Sequence, residues 1–219
     1  MIVEIDDAGV GCPVGGVVIG GLRGNKFSAR IIPIDFFKEG ADKSILQEEL
    51  VKSVASLLKE LKFKPEDDLI KICRGTFFEP VFAFFEENGW RWMPTKIESR
   101  LQDLVEARFD FHLIEIGVPR LLVKRLIHYR DYVIELLKWV GLDLEERKSL
   151  VKTSFNVWKR EWRFVRLAFE EKKLSRSGYC LECGQGIKRN EEVIEVIFST
   201  PRRILRCYLH SECGEKLKR

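Results

Sequence analysis

Along residues 2–6 apolar and acidic side chains alternate, with Val3 and Ile5 opposite Glu4 and Asp6, which predicts a strand. Gly9, Gly11, Pro13, Gly15 and Gly16 then break the pattern and predict a turn. Residues 17–21 and 27–34 read as a second and a third strand, joined by a hairpin over 23–26. Ile45, Leu46, Leu50, Val54, Leu57, Leu58 and Leu61 recur at helical spacing and predict a helix over 43–61, with Asp42 or Ser44 as its cap. The short apolar run 69–73 predicts a strand. Residues 79–87 predict a helix that ends at Asn88-Gly89. A fifth strand over 90–94 and a helix over 96–116 follow. An antiparallel meander followed by alternating helices and strands predicts an α/β fold, a mixed sheet with flanking helices. Beyond it, 120–140 and 144–173 read as helices separated by Gly141.

Composition narrows the class. Of 219 residues, 45% are hydrophobic and 33% charged, the balance of a folded chain with a densely charged surface. No apolar run reaches the roughly 18 residues that span a bilayer, so no membrane partner is expected. Met1 leads directly into Ile2, Val3, Glu4 and Ile5 without the pattern of a signal peptide, so the expected location is cytoplasmic. Lys and Glu are plentiful and Gln and Asn scarce, which hints at a hot-adapted, thermophile source. The formal net charge of +4 hides a division: residues 1–119 carry −5, 120–176 carry +7 and 177–219 carry +2. The middle segment is thus the candidate face for an anionic partner.

Cysteine placement carries the strongest chemical signal. Cys12 and Cys73 are isolated, whereas the other four cysteines fall within the last forty residues. Such clustering in a reducing compartment favours a metal over disulfides. Cys180-Leu-Glu-Cys183-Gly184 is a knuckle in which a tight turn lets two thiolates reach one ion. His210 and Cys213 share the same spacing and can meet at the start of a last helix. Between the two pairs, 191–198 and 203–208 predict a hairpin. Cys207 is a surplus thiol that could replace His210, but its spacing to Cys213 favours His210. The expected set is therefore Cys180, Cys183, His210 and Cys213 around a structural Zn²⁺. A knuckle, a hairpin and a His-x-x-Cys helix start resemble the treble-clef zinc fingers over 180–213.

A second resemblance lies at the other end. The run Ile5-Asp6-Asp7-Ala8-Gly9-Val10-Gly11-Cys12-Pro13-Val14-Gly15-Gly16 is similar to the opening of type 2 ribonucleases H, which begin with a strand, Asp-Glu-Ala-Gly and a Gly/Pro-rich turn. The order of elements extends the likeness over about residues 1–116. The resemblance implies a ribonuclease H-like sheet and hydrolysis assisted by two Mg²⁺ or Mn²⁺ ions about 4 Å apart. Asp6 matches the family's first metal-binding aspartate, and Asp7 stands where the family has glutamate. Glu4, on the same strand face, could contribute. The fourth strand ends in Ile72-Cys73-Arg74-Gly75, where the family has an acid. From the last core helix the family adds a carboxylate, for which Glu98, Asp103 and Glu106 are candidates. Ile97, Leu101, Leu104, Val105 and Phe109 form the apolar stripe there, and Glu98 borders it, so Glu98 is preferred. Arg74 and Lys96 are placed to hold a phosphate.

In the basic middle, Lys159, Arg163 and Arg166 fall near one face of the expected helix and suit a phosphate backbone. Phe155, Trp158, Trp162, Val165 and Phe169 recur at three- and four-residue steps and read first as a core-facing stripe. Neither a phosphate-binding Gly-x-x-x-x-Gly-Lys loop nor a dinucleotide fingerprint is present. The expected organisation is a ribonuclease H-like domain over 1–119, a basic helical segment over 120–176 and a zinc module over 177–219. Three functions fit: a metal-dependent nuclease or resolvase-type phosphodiesterase acting on DNA or RNA, a non-catalytic nucleic-acid binder with the same fold, and a zinc-containing protein-interaction adaptor.

Overall fold

Val3 and Ile5 are fully buried because strand β1 (Ile2–Ala8) is the middle one of five. The computed structural model describes residues 1–125, 129–161, 165–200 and 204–217. These form two units, Met1–His112 and Leu113–Arg219.

In the first unit, β1 is followed by β2 (Val17–Arg23), β3 (Lys26–Ile32), helix α1 (Lys43–Glu60), β4 (Leu69–Cys73), α2 (Glu79–Glu87), β5 (Trp92–Thr95) and α3 (Arg100–Glu115). The sheet order is β3-β2-β1-β4-β5. The first three strands are antiparallel neighbours, and β4 and β5 run parallel to β1. This is a mixed α/β sheet with flanking helices, as the apolar pattern predicts.

Local chemistry sets the boundaries. Asp42 accepts a hydrogen bond from the Ser44 N–H at 2.8 Å and starts α1. Leu50, Val54, Leu57 and Leu58 line its buried face, each contributing about 1.5–3 kcal/mol when fully buried. Glycines let the helices approach the sheet. Opposite Ile5 stands Gly21, where a Cβ would lie 2.7 Å from Leu61. Opposite Asp6 stands Gly20, where a Cβ would lie 2.0 Å from the Val105 side chain of α3. One face of β1 therefore looks toward the end of α1, and the face with Asp6 looks toward α3. Asp68 is fully buried just before β4. It takes two hydrogen bonds from the Arg23 guanidinium, at 3.1 and 3.2 Å, and one from the Lys64 N–H at 2.8 Å.

The second unit contains α4 (Arg120–Arg125), α5 (Tyr129–Leu142), α6 (Leu144–Arg147), α7 (Asn156–Glu161), β6 (Val165–Lys173), β7 (Gly178–Tyr179), β8 (Gly186–Ile187), β9 (Glu192–Ser199), β10 (Ile204–His210) and α8 (Ser211–Lys216). Its larger sheet has the order β10-β9-β6, and β7 pairs with β8. The expected hairpin is present as β9 and β10 in antiparallel register.

Two expectations for the basic middle are corrected. Gly141 does not separate a pair of helices: α5 runs through it to Leu142. The burial of Leu136, Leu137, Trp139, Val140 and Leu142 outweighs the roughly 1 kcal/mol cost of a helical glycine. Nor is 144–173 one helix. It divides into α6, a 3-10 turn (Lys148–Leu150), α7 and the strand β6. Val165 and Phe169 fit the helical stripe, but pairing with β9 along 165–173, with an irregularity between Arg166 and Ala168, decides for the strand. Among the described residues no helix is long and apolar enough to cross a membrane.

Candidate metal centres

The four expected ligands of the second unit converge. One donor atom each from Cys180, Cys183, His210 and Cys213 lies within 4.8 Å of the others. Two local devices bring them there. The first is the knuckle, closed by the Gly184 N–H on the Cys180 carbonyl and the Cys180 N–H on the Gln185 carbonyl, both at 2.8 Å. Gly184 has φ +74°, and a Cβ on it would meet Pro119 at 3.1 Å, so this turn requires glycine twice over. The second is the junction of β10 and α8, which places His210 at the strand end and Cys213 in the first turn of the helix. A bridge between Cys180 and Tyr208 ties the knuckle to β10.

The electrostatics of this group suit a cation. Burial pushes the Cys180 thiol up. Burial, then the neighbouring Cys180 and Cys183 sulfurs, push Cys213 up to about 12. Cys183 moves the other way: hydrogen bonds from the Gln185 N–H and from neighbouring ligands outweigh its burial. A divalent ion relieves the crowding of sulfur charge, and three thiolates and one imidazole are a closed four-ligand donor set. The Cys183 Sγ to His210 Nδ1 distance of 3.4 Å fits a shared tetrahedral ion with bonds of about 2.0–2.3 Å. Cys207 is not among the ligands. It is buried in β10 opposite Val196, and burial pushes its thiol up.

A second group of metal-binding side chains lies in the first unit. Donor atoms of Asp6, Asp7 and Cys73 also lie within 4.8 Å of one another. Asp6 and Cys73 come together because β1 and β4 pair in parallel with Ile5 beside Ile72. Asp6 is only 6% exposed. Burial raises its carboxyl above the ordinary range, and the Glu106 and Glu4 carboxylates add to that, while hydrogen bonds from the Asp7 N–H and the Cys73 thiol oppose it. Burial, followed by the charges of Asp6 and Asp7, pushes the Cys73 thiol up to about 11, against a hydrogen bond from the Gly75 N–H. At neutral pH it meets Asp6 as a neutral S–H. Ser99 Oγ donates to Glu4 at 2.9 Å and steadies the next carboxylate along β1.

Glu98 is not placed as expected. It precedes α3, which begins at Arg100, so the helical phase that set Glu98 at the stripe's edge does not apply to it. Its carboxylate is exposed and paired with Lys96, and it is lowered by Lys96 and then by Arg74. From α3 it is Glu106 whose charge acts on Asp6. Glu106 also accepts a hydrogen bond from Gln102 at 3.1 Å. Glu106 is one of the three helix candidates and was passed over for Glu98, and Cys73 is the partner of Asp6 that the sequence reading did not mark. The end of β4 and the position after Val105 were the available signals.

The basic residues are dispersed. Arg74 follows β4 directly, and its N–H donates to the Thr95 carbonyl at 3.0 Å. Lys159 is exposed on α7. Arg166 stands on β6, where its guanidinium lies over the Phe169 ring and donates to the Leu142 carbonyl at 3.2 Å. Lys159 and Arg166 therefore share no helix face, and Arg163 lies outside the described residues. No protein-family model matches this sequence, and no curated protein sequence is similar to it.

Proposed function

We propose that this protein is a nucleic-acid-processing protein whose first unit binds a divalent cation at Asp6 for phosphodiester hydrolysis, and whose second unit is built around one structural Zn²⁺. The observation that carries this reading is the buried Asp6 carboxylate at the end of the central strand, with Asp7 and Cys73 beside it and the charges of Glu4 and Glu106 acting on it. The strand order β3-β2-β1-β4-β5, a meander followed by two parallel strands, supports a ribonuclease H-like domain. Asp6, with Asp7 and Glu106, would hold Mg²⁺ or Mn²⁺. Such an ion stabilises developing charge on a phosphoryl oxygen and supplies an activated water. Arg74 follows Cys73 directly beyond β4, and Lys96 follows β5, the strand that pairs with β4. Both act on Glu98, and together the two cations supply positive charge for a phosphate. The chemistry of Cys180, Cys183, His210 and Cys213 supports zinc, and their closed arrangement supports a structural role.

One feature favours a second reading. A neutral thiol stands at the end of β4 where the ribonuclease H resemblance implies a carboxylate, and this suits a binder that keeps the fold without turnover. Calorimetric titration of Mn²⁺ into wild type and Asp6→Asn, followed by a nuclease assay on labelled DNA and RNA, separates the two. Saturable Mn²⁺ binding that Asp6→Asn abolishes, together with cleavage, supports the nuclease. A folded wild type that binds nucleic acid but no Mn²⁺ leaves the binder.

A further inference from the structure

The two ring nitrogens of His210 have different neighbours. Nδ1 faces the thiols, 3.4 Å from Cys183 Sγ. Nε2 faces away, 3.3 Å from the Gly186 carbonyl of β8 and 3.7 Å from Glu191 Oε1. Both of these neighbours are acceptors: a carbonyl has no proton to give, and an ionised carboxylate has none either. Nε2 must therefore carry the hydrogen, which leaves the lone pair on Nδ1 pointing at the sulfur cluster. Glu191 is itself held in place. Its other oxygen, Oε2, accepts the Lys188 N–H at 2.8 Å, and its backbone carbonyl accepts the Leu174 N–H at 3.0 Å.

We infer that His210 ligates the metal through Nδ1, and that Glu191 is a positioning residue that holds this tautomer and slows loss of the ion. The inference rests on the zinc reading above. The Gly186 carbonyl makes the hydrogen bond and fixes the ring plane. The Glu191 charge, beyond hydrogen-bond distance, draws the Nε2 proton outward and makes Nδ1 the stronger donor. The turn over Lys188–Glu191 thus has a chemical task in addition to connecting β8 to β9. Cys180 and Cys213 need no such partner, because a thiolate has no second titrating atom to orient.

The test uses the full chain. Metal analysis of the purified wild type comes first, followed by long-range ¹H–¹⁵N correlation of the His210 ring and by zinc competition with a chromogenic chelator. The expected results are one equivalent of zinc, an Nε2-protonated ring bound through Nδ1, and zinc affinity lowered about tenfold by Glu191→Ala. Glu191→Gln keeps an acceptor for the Lys188 N–H and removes the charge, so its loss is smaller but still exceeds twofold. A purely structural role for Glu191 would lower the melting temperature and leave the zinc affinity unchanged. A ring bound through Nε2, or affinities within twofold of wild type in both variants, overturns the inference while the zinc site stands. A wild type without zinc overturns the zinc reading itself. The ring spectrum needs no variant, so a misfolded substitution does not remove the test.

Discussion

Cys180, Cys183, His210 and Cys213 come from two short segments with i, i+3 spacing, whereas Asp6 and Cys73 come from strands separated by two further strands and a helix. Both groups gather donor atoms within 4.8 Å, but the reasons differ. In the second unit a tight turn and a helix start create each half of the site locally, and only the meeting of the halves is long-range. In the first unit the sheet register does all the work: Ile5 beside Ile72 brings Asp6 to Cys73. The donors also differ in kind. Three thiols and an imidazole form a complete set, while the charges of the Glu4 carboxylate of β1 and the Glu106 carboxylate of α3 act on the aspartate group. On the proposal above, the Cys/His group holds the ion that folds its unit, whereas the Asp6 group is a site that its unit builds regardless of metal.

Removing the ion tests that contrast most severely. Cys180→Ser, or prolonged treatment with a strong chelator, is expected to unfold the second unit and leave the first intact, since structural zinc of this kind contributes on the order of 10 kcal/mol. Amide spectra of the two units during chelation check it; a second unit that stays folded without metal removes the distinction.

The first unit should instead be sensitive at Asp68. Burial alone would raise this carboxyl, but hydrogen bonds from the Met1 ammonium, the Lys64 N–H and Arg23 prevail and hold it down to about 2. A carboxyl lowered in the folded state stabilises fully above its unfolded value near 3.8 and loses that contribution as pH falls from about 4 to about 2. Arg23→Ala removes the two guanidinium hydrogen bonds from a buried carboxylate and should cost about 3 kcal/mol. Denaturant melts of the first unit at pH 7 and pH 3 measure both effects, and the gap between wild type and variant should narrow at pH 3.

The smallest expected effect separates Glu106 from Glu98. Glu106→Gln should weaken Mn²⁺ binding several-fold, because its charge acts on Asp6, and Glu98→Gln should leave it unchanged, because Glu98 is paired with Lys96 at the surface. Calorimetry on the two variants decides, and a reversed order would return Glu98 to the site.

Much of this was legible in the order of residues alone. The alternation in β1, the stripe of α1, the run 69–73 and the helix 79–87 are short-range patterns, and the elements follow them closely. The convergence of Cys180, Cys183, His210 and Cys213 was legible for the same reason, since each pair is spaced within one turn. The helix expected over 144–173 failed because the i, i+4 spacing of Val165 and Phe169 does not exclude a strand, and β9, some thirty residues away, makes the choice. Glu98 failed because a helical wheel has no meaning before the helix begins at Arg100.

By itself the amino-acid sequence determined which segments carry an apolar face, where glycine turns interrupt them, and which cysteines and histidine could hold one metal ion. Only the tertiary structure decided that the Cys73 thiol and the Asp7 carboxylate close on Asp6, that Glu106 is the acid acting on it from α3, and that Cys207 is buried in β10 outside the converging Cys/His group. Periodicity reports which side of an element is buried, but register and helix phase report what lies opposite, and these are settled by packing between residues far apart in the chain.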